Sequence, residues 1–213
     1  MSKITIEIWS DVMCPFCYIG KRQLERALRE FPQGEAVEVI WKSFQLQPNL
    51  QTDPSKSVLQ SLAESKGWSR EQTLSAMAHV TEMAAAEGLH YDFERAVVAN
   101  SFDAHRLTHL AKAHGLQNAV EEGLFAAYFC EGKNTADAEV LRSIGLSAGL
   151  PPDAVDALLA GDAYAEEVRH DVYEARQVGV SGVPFFVFND RLAVSGARGS
   201  EVFLQVLGEV AKN

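Results

Sequence analysis

Cys14 and Cys17, two of the three cysteines in the chain, enclose Pro15 and Phe16 in the stretch DVMCPFCYIG. Two thiols at this spacing can close a permanent disulfide, supply half of a zinc site, or open and close as a redox pair. Structural staples are needed mainly by small secreted domains that cannot bury enough apolar surface. A chain of 213 residues, 47% of them hydrophobic, is not of that kind. Zinc usually takes four nitrogen or sulfur ligands, and no second Cys/His pair with the usual spacing accompanies CPFC. His105 and His109 stand four apart on an expected helix, but the glutamate of HExxH is absent, so they read as ordinary helix surface and no metal is expected. Of the three, redox chemistry is the favoured reading: a thiolate attacks a disulfide and a second thiol resolves the product.

The elements that must position this pair can be read from periodicity. Ile4, Ile6 and Ile8 alternate with Thr5 and Glu7, which predicts a strand ending near Ser10. A helix follows CPFC at once, with Leu24, Leu28 and Phe31 on one face and Pro32 and Gly34 closing it, and then a strand from about Val37 to Phe44. This βαβ opening implies two parallel strands. From 48 to 177 the pattern is helical, without a convincing strand. Six helices are expected there: one opened by the Ser69–Gln72 capping box, one capped by Asn100, one carrying Leu124, Ala127, Tyr128 and Cys130, two starting at Asp137 and Pro152, and one over 162–177. Two apolar runs, Phe185–Phe188 and Leu192–Ser195, flank Asn189-Asp190, residues that tolerate a tight hairpin's left-handed backbone. Ser200 is expected to cap a last helix. The chain therefore divides into a discontinuous α/β domain, 1–47 with 178–213, and an inserted helical domain, 48–177.

In this layout Cys14 sits at a helix N-terminus, where unpaired N–H groups and the helix dipole favour an anion. It is the expected nucleophile, and Cys17, one turn on and less exposed, the expected resolving thiol. Pro15 suits a first helical turn, where its missing N–H has no intrahelical partner anyway. Phe16 reads as part of the exposed rim of the site and Trp9 as core. Cys130, in an apolar helical stretch, reads as a buried small hydrophobe. Asp11, three residues before Cys14, is either a cap or a proton carrier for Cys17.

A βαβ plus ββα core with C-x-x-C opening its first helix resembles the thioredoxin fold, an α/β architecture with a four-stranded mixed sheet, here with a large all-helical insertion. In thioredoxin-like proteins a cis proline before the first hairpin strand lies beside the reactive cysteine and presents backbone to substrate. Val183 and Pro184 occupy that place. The stretches SDVMCPFCYIGKRQLE, FQLQP, NSFDAHRL, LFAAYFCEGKN, GVSGVPFFVF and SGARG resemble the cytoplasmic DsbA-like oxidoreductases of the FrnE type over nearly the whole chain. The resemblance implies a disulfide oxidoreductase or isomerase, with Cys14 and Cys17 catalytic and Pro15, Phe16, Val183 and Pro184 at the substrate. It implies no cofactor, glutathione being at most a co-substrate. The alternative on the same fold is a glutathione-dependent isomerase or transferase of the hydroxychromene-carboxylate and kappa-class kind, which usually has Ser at the position of Cys14. A non-catalytic chaperone or binding module is the third reading.

Two departures from the resemblance matter. DsbA's dipeptide is Pro-His, whereas Phe16 offers neither charge nor ring N–H, so a less oxidising couple than DsbA's ~−120 mV is expected, in a range of roughly −200 to −270 mV. With Cys130 alone outside the motif, no two-disulfide relay can be assembled.

The net charge of −10 and the lack of basic runs exclude a nucleic-acid partner. No signal-peptide pattern opens the chain, and no stretch approaches the ~18 apolar residues of a membrane span. A cytoplasmic protein acting on disulfide- or thiol-containing proteins or small thiols is expected, as a monomer or homodimer.

Overall fold

The computed structural model describes residues 3–212. Among them the chain forms six strands and nine α-helices, in two units: 3–46 with 166–212, and Gln47–Ala165.

The first unit is built on β1 (Thr5–Ser10), α1 (Pro15–Glu30) and β2 (Glu38–Ser43), followed after the second unit by α8 (Ala165–Gln177), β5 (Phe185–Phe188), β6 (Leu192–Ser195) and α9 (Ser200–Val210). The sheet order is β2-β1-β5-β6, with β1 and β2 parallel and the other neighbours antiparallel. The expected βαβ…ββα order and mixed four-stranded sheet are therefore present. Asn189 and Asp190 take the φ values of 47° and 54° that the hairpin demands.

Successive side chains of a strand point to opposite faces. Ile6 and Ile8 of β1 are fully buried, and in register with them Phe186 and Phe188 of β5 lie on the face covered by α1 and α9. Phe186 meets Phe203 of α9 edge-on at 4.7 Å, a pairing that contributes about 0.5–1.5 kcal/mol beyond area burial. Trp9 points the other way, into a cluster with Ala175 of α8 and Val180, against which Phe44, Val183, Phe185 and Val187 pack.

The assignment of α8 corrects the expected domain boundary at 177. Trp9 Nε1 donates to the Asp171 carbonyl at 3.1 Å, and the Ser43 N–H donates to the Asp171 carboxylate at 2.9 Å. Lys42 of β2 reaches Glu174, Glu7 and Asp171. Burial disfavours its charge, but those carboxylates together outweigh it and hold the ammonium above the ordinary lysine range. The helix thus covers one face of the four-stranded sheet, and the inserted unit ends before it.

The second unit comprises β3 (Asp53–Ser57), α2 (Val58–Lys66), α3 (Arg70–Ala86), β4 (Val97–Val98), α4 (Phe102–Ala113), α5 (Gln117–Phe125) running into a π-helical turn (Ala126–Cys130), α6 (Ala138–Ser147) and α7 (Pro152–Ala160). The capping box at Ser69 and Gln72, the Asp137 cap and Pro152 in the first turn of α7 are all present. Two readings are corrected. This segment does contain strands, since β3 pairs with β4 through an irregular register. His105 and His109 are not helix surface: α4 is buried from Ala104 to Ala111, leaving them 2% and 7% exposed. Beside them Thr108 Oγ1 donates to Glu121 at 2.9 Å, and Arg106 closes the end of α7 by donating to the carbonyls of Leu158, Gly161 and Ala163.

Two caps also differ in detail. Asn100 Oδ1 accepts from the Phe102 N–H at 2.8 Å, but Ser101 holds the N-cap position, and the Asn100 amide reaches back to the Pro48 and Leu50 carbonyls. Gly199, at φ 92°, precedes α9 where Ser200 was expected to cap, and its N–H is taken by Gln23 of α1.

Candidate active site

β1 delivers the chain to the edge of the core at Ser10, and the turn Asp11-Val12-Met13 reverses it into α1. Cys14 is the N-cap, in extended backbone, and Pro15 opens the helix. The Cys14 N–H donates to the Asp11 carbonyl at 2.9 Å and the Cys17 N–H to the Cys14 carbonyl at 3.0 Å, which closes the first turn around the pair. Both thiols are free. Cys14 is 3% exposed and Cys17 is wholly buried beneath it, while Phe16 between them is 37% exposed.

The second wall is the segment entering β5. Val183-Pro184 is cis, and Cys14 Sγ–H donates to the Val183 carbonyl at 3.3 Å. Gly20 explains how the two segments approach so closely. A Cβ at that position would stand 3.2 Å from Pro184 Cγ and 3.1 Å from Phe186 Cζ, so a side chain there would push against the proline loop. The structure therefore brings Cys14, Pro15, Phe16, Cys17, Val183 and Pro184 together around one helix terminus.

Asp11 is fully buried. Its carboxylate accepts from the Leu46 N–H at 2.7 Å and, more weakly, from the Met13 N–H at 3.4 Å. It ties the turn before Cys14 to the exit of β2, and it does not cap α1, whose N-cap is Cys14. Burial pushes the Cys17 thiol well above its ordinary value, and the neighbouring Cys14 sulfur pushes in the same direction; the Ser10 hydroxyl and the Asp11 backbone oppose them. The inner sulfur is thus a protonated thiol at neutral pH, and the outer residue keeps the small exposure that the pair has.

Other candidates lie elsewhere. Trp9 is core, 1% exposed. Cys130 is half-buried at the end of the π-helical turn in the second unit, rather than fully buried as expected. Among the described residues, His170, Asp171 and Glu174 bring three metal-type ligand atoms within 4.8 Å of one another, but Lys42 already supplies the cation there. Reading the sequence missed Ser10, Gly20 and Leu46 as parts of the site. Gly20 carried a signal, because a glycine inside a helix destabilises it unless something packs close. Ser10 and Leu46 carried none.

A family model for the DSBA-like thioredoxin domain matches residues 5–208. A crystal structure of a probable DsbA oxidoreductase from Streptomyces coelicolor is 40% identical, with a TM-score of 0.91 over 99% of this chain and 91% of its own. The uncharacterized protein YwbO of Bacillus subtilis (strain 168) is 26% identical over 217 residues, 98% of each chain. The cytosolic disulfide reductase DsbM from Pseudomonas aeruginosa, in a structure with GSH, is 19% identical and covers 98% of this chain and 100% of its own at a TM-score of 0.69, a likeness of fold alone. Among the described residues no helix is long and apolar enough to cross a membrane. A CPFC pair at the N-terminus of α1, beside the Val183–Pro184 loop, in a chain matched over almost its whole length, makes this protein a member of the DSBA-like thioredoxin domain family and an enzyme of the disulfide oxidoreductase/isomerase class.

Proposed function

We propose that this protein exchanges disulfides through Cys14 and Cys17, with Cys14 as the nucleophile and Cys17 as the resolving thiol. The Cys14 sulfur attacks a substrate disulfide and one substrate sulfur leaves. Cys17 then attacks Cys14, releasing the second substrate sulfur and closing the Cys14–Cys17 disulfide; the reverse sequence oxidises a substrate dithiol. The observation that carries this reading is the pair itself: two free thiols in one helical turn, the outer one turned to the Val183 carbonyl and the inner one buried. Pro15, Phe16, Val183 and Pro184 are the surface that meets the substrate, a protein disulfide or a small thiol. Glutathione is the proposed reductant, supported by the structure of DsbM with GSH. A cytoplasmic setting of the FrnE type fits a couple less oxidising than DsbA.

The test is equilibration of the pair with glutathione buffers, followed by alkylation mass. A two-electron transition between about −150 and −280 mV is expected, together with loss of insulin-disulfide reduction in Cys14→Ser and trapped mixed disulfides in Cys17→Ala. Failure of the two cysteines to form a disulfide, with saturable glutathione binding and turnover of a small aromatic substrate surviving in Cys17→Ala, would replace this reading with the glutathione-dependent isomerase.

A further inference from the structure

Ser10 is the last residue of β1 and is 1% exposed. Its backbone belongs to the sheet, paired with Ser43 of β2, and its carbonyl accepts from the Phe44 N–H at 2.9 Å. Its hydroxyl is shut off from solvent and finds no hydrogen-bond partner among the described residues. A buried hydroxyl left in that condition is destabilising, and alanine would fill the same place in the strand without that penalty. In the alternation of β1 its side chain shares the face of Ile6 and Ile8, the one α1 covers with the buried Cys17, and the hydroxyl is among the groups that favour the Cys17 thiolate. Asp11, the other polar side chain at this end of β1, has its two carboxylate oxygens turned to Leu46 and Met13.

We propose that Ser10 is a positioning residue for the resolving half of the reaction, its O–H donating to the Cys17 sulfur as that sulfur becomes a thiolate and attacks the mixed disulfide. The inference rests on the reading of Cys17 as resolving thiol. In that step the Cys14–substrate S–S bond breaks and the Cys14–Cys17 bond forms. The departing substrate sulfur takes the electron pair, and the proton lost by Cys17 ends on it. Substrate is reduced and the pair oxidised, and Ser10 keeps its own proton throughout. The need for such a donor follows from burial. An anion forming in a dry site requires hydrogen bonds to offset lost hydration, and the Ser10 hydroxyl and the Asp11 backbone both act in that direction.

The effect can be sized. A hydrogen bond to a charged group favours it about tenfold or more. Roughly half of that, on a logarithmic scale, is returned because a more basic thiolate is a better nucleophile. Loss of the hydroxyl should therefore slow resolution about 3- to 10-fold near neutral pH. The deficit should shrink as pH rises, since the fully ionised variant is the stronger nucleophile.

The experiment is stopped-flow reaction of the reduced full-length protein with dithiobis(nitrobenzoate). Attack by Cys14 gives a first burst of thionitrobenzoate that scales with reagent, and resolution by Cys17 a second that does not. In Ser10→Ala the second phase should slow with its pH profile displaced upward while the first is unchanged, and Ser10→Thr should restore it. Ser10→Thr and Ser10→Val differ by a hydroxyl against a methyl, so this pair carries the same comparison if alanine weakens the fold. A second phase that is absent in Cys17→Ala but equally fast with and without the hydroxyl overturns the role of Ser10 alone. A second phase that persists in Cys17→Ala overturns the assignment of Cys17 itself.

Discussion

Asp11 offers the sharpest separation of a structural role from a chemical one, because its carboxylate is fully buried three residues before the nucleophile. Its bond from the Leu46 N–H, at 2.7 Å, is short and charge-assisted, a class that contributes about 1.5–3 kcal/mol. The bond from Met13, at 3.4 Å, is near the limit of useful geometry and adds little. Asp11→Ala removes both and should destabilise the protein by about 2–3 kcal/mol. For a chain of this size that lowers Tm by roughly 4–12 °C. Asp11→Asn keeps an oxygen for Leu46 and gives up only the charge, so about half of the loss is expected.

The catalytic consequence separates the two roles. If the carboxylate holds the turn, Asp11→Asn leaves the Cys17-dependent second phase of thionitrobenzoate release and its pH profile as in the wild type. Thermal unfolding of the reduced proteins measures the first expectation and stopped-flow the second. An Asp11→Ala protein as stable as the wild type would refute the energetic reasoning. An Asp11→Asn protein of wild-type stability whose second phase collapses would make the carboxyl a proton carrier.

Three further outcomes are expected. Gly20→Ala gains roughly 0.5–1 kcal/mol of helix preference and loses a similar amount to the 3.1–3.2 Å approaches to Phe186 and Pro184; its Tm should barely move while disulfide reduction falls, because the displaced atoms belong to the wall facing Cys14. Arg106→Ala removes the guanidinium bonds to the Leu158, Gly161 and Ala163 carbonyls, of which Leu158 keeps the Gly161 N–H, and should cost about 2–3 kcal/mol by urea unfolding, with the first-phase rate at Cys14 unchanged. Burial raises the folded-state value of the Cys17 thiol above its ordinary 9.0, so above that pH the unfolded chain ionises first and binds fewer protons. The reduced wild type should therefore lose stability with rising pH at up to about 1.4 kcal/mol per pH unit, relative to Cys17→Ala. Parallel curves for the two proteins would count against a protonated inner thiol.

What was legible in the sequence follows from the range over which each signal acts. The period-2 isoleucines, the Ser69–Gln72 box, Asp137, Pro152 and Asn189-Asp190 are local instructions, satisfied within a few residues, and each appears where expected. The helix α2 was equally local and was passed over: Ser57 accepts from the Gln60 N–H and Gly67 ends the helix at φ 66°. It buries no side chain completely, so the apolar stripe that draws attention to a helix is weak there. β3, with the sequence DPSKS, has no alternation at all; it exists because β4 offers it a partner.

The features that needed the structure are those in which a residue's role is set by something distant along the chain. α8 has a helix's periodicity wherever it is placed; what assigns it to the redox unit is Asp171 meeting Trp9 and Ser43, 162 and 128 residues away, and Glu174 meeting Lys42. The same holds within the site. CPFC identified both sulfurs because spacing along a helix is information the sequence carries directly. A serine ending a strand, by contrast, is unremarkable until α1, carrying Cys17, covers the face on which its hydroxyl is buried without a partner. In this fold the sulfurs are a local motif and their surroundings are a tertiary one. A sequence can therefore name the nucleophile and its partner while leaving unstated which groups set the rates of the two steps they perform.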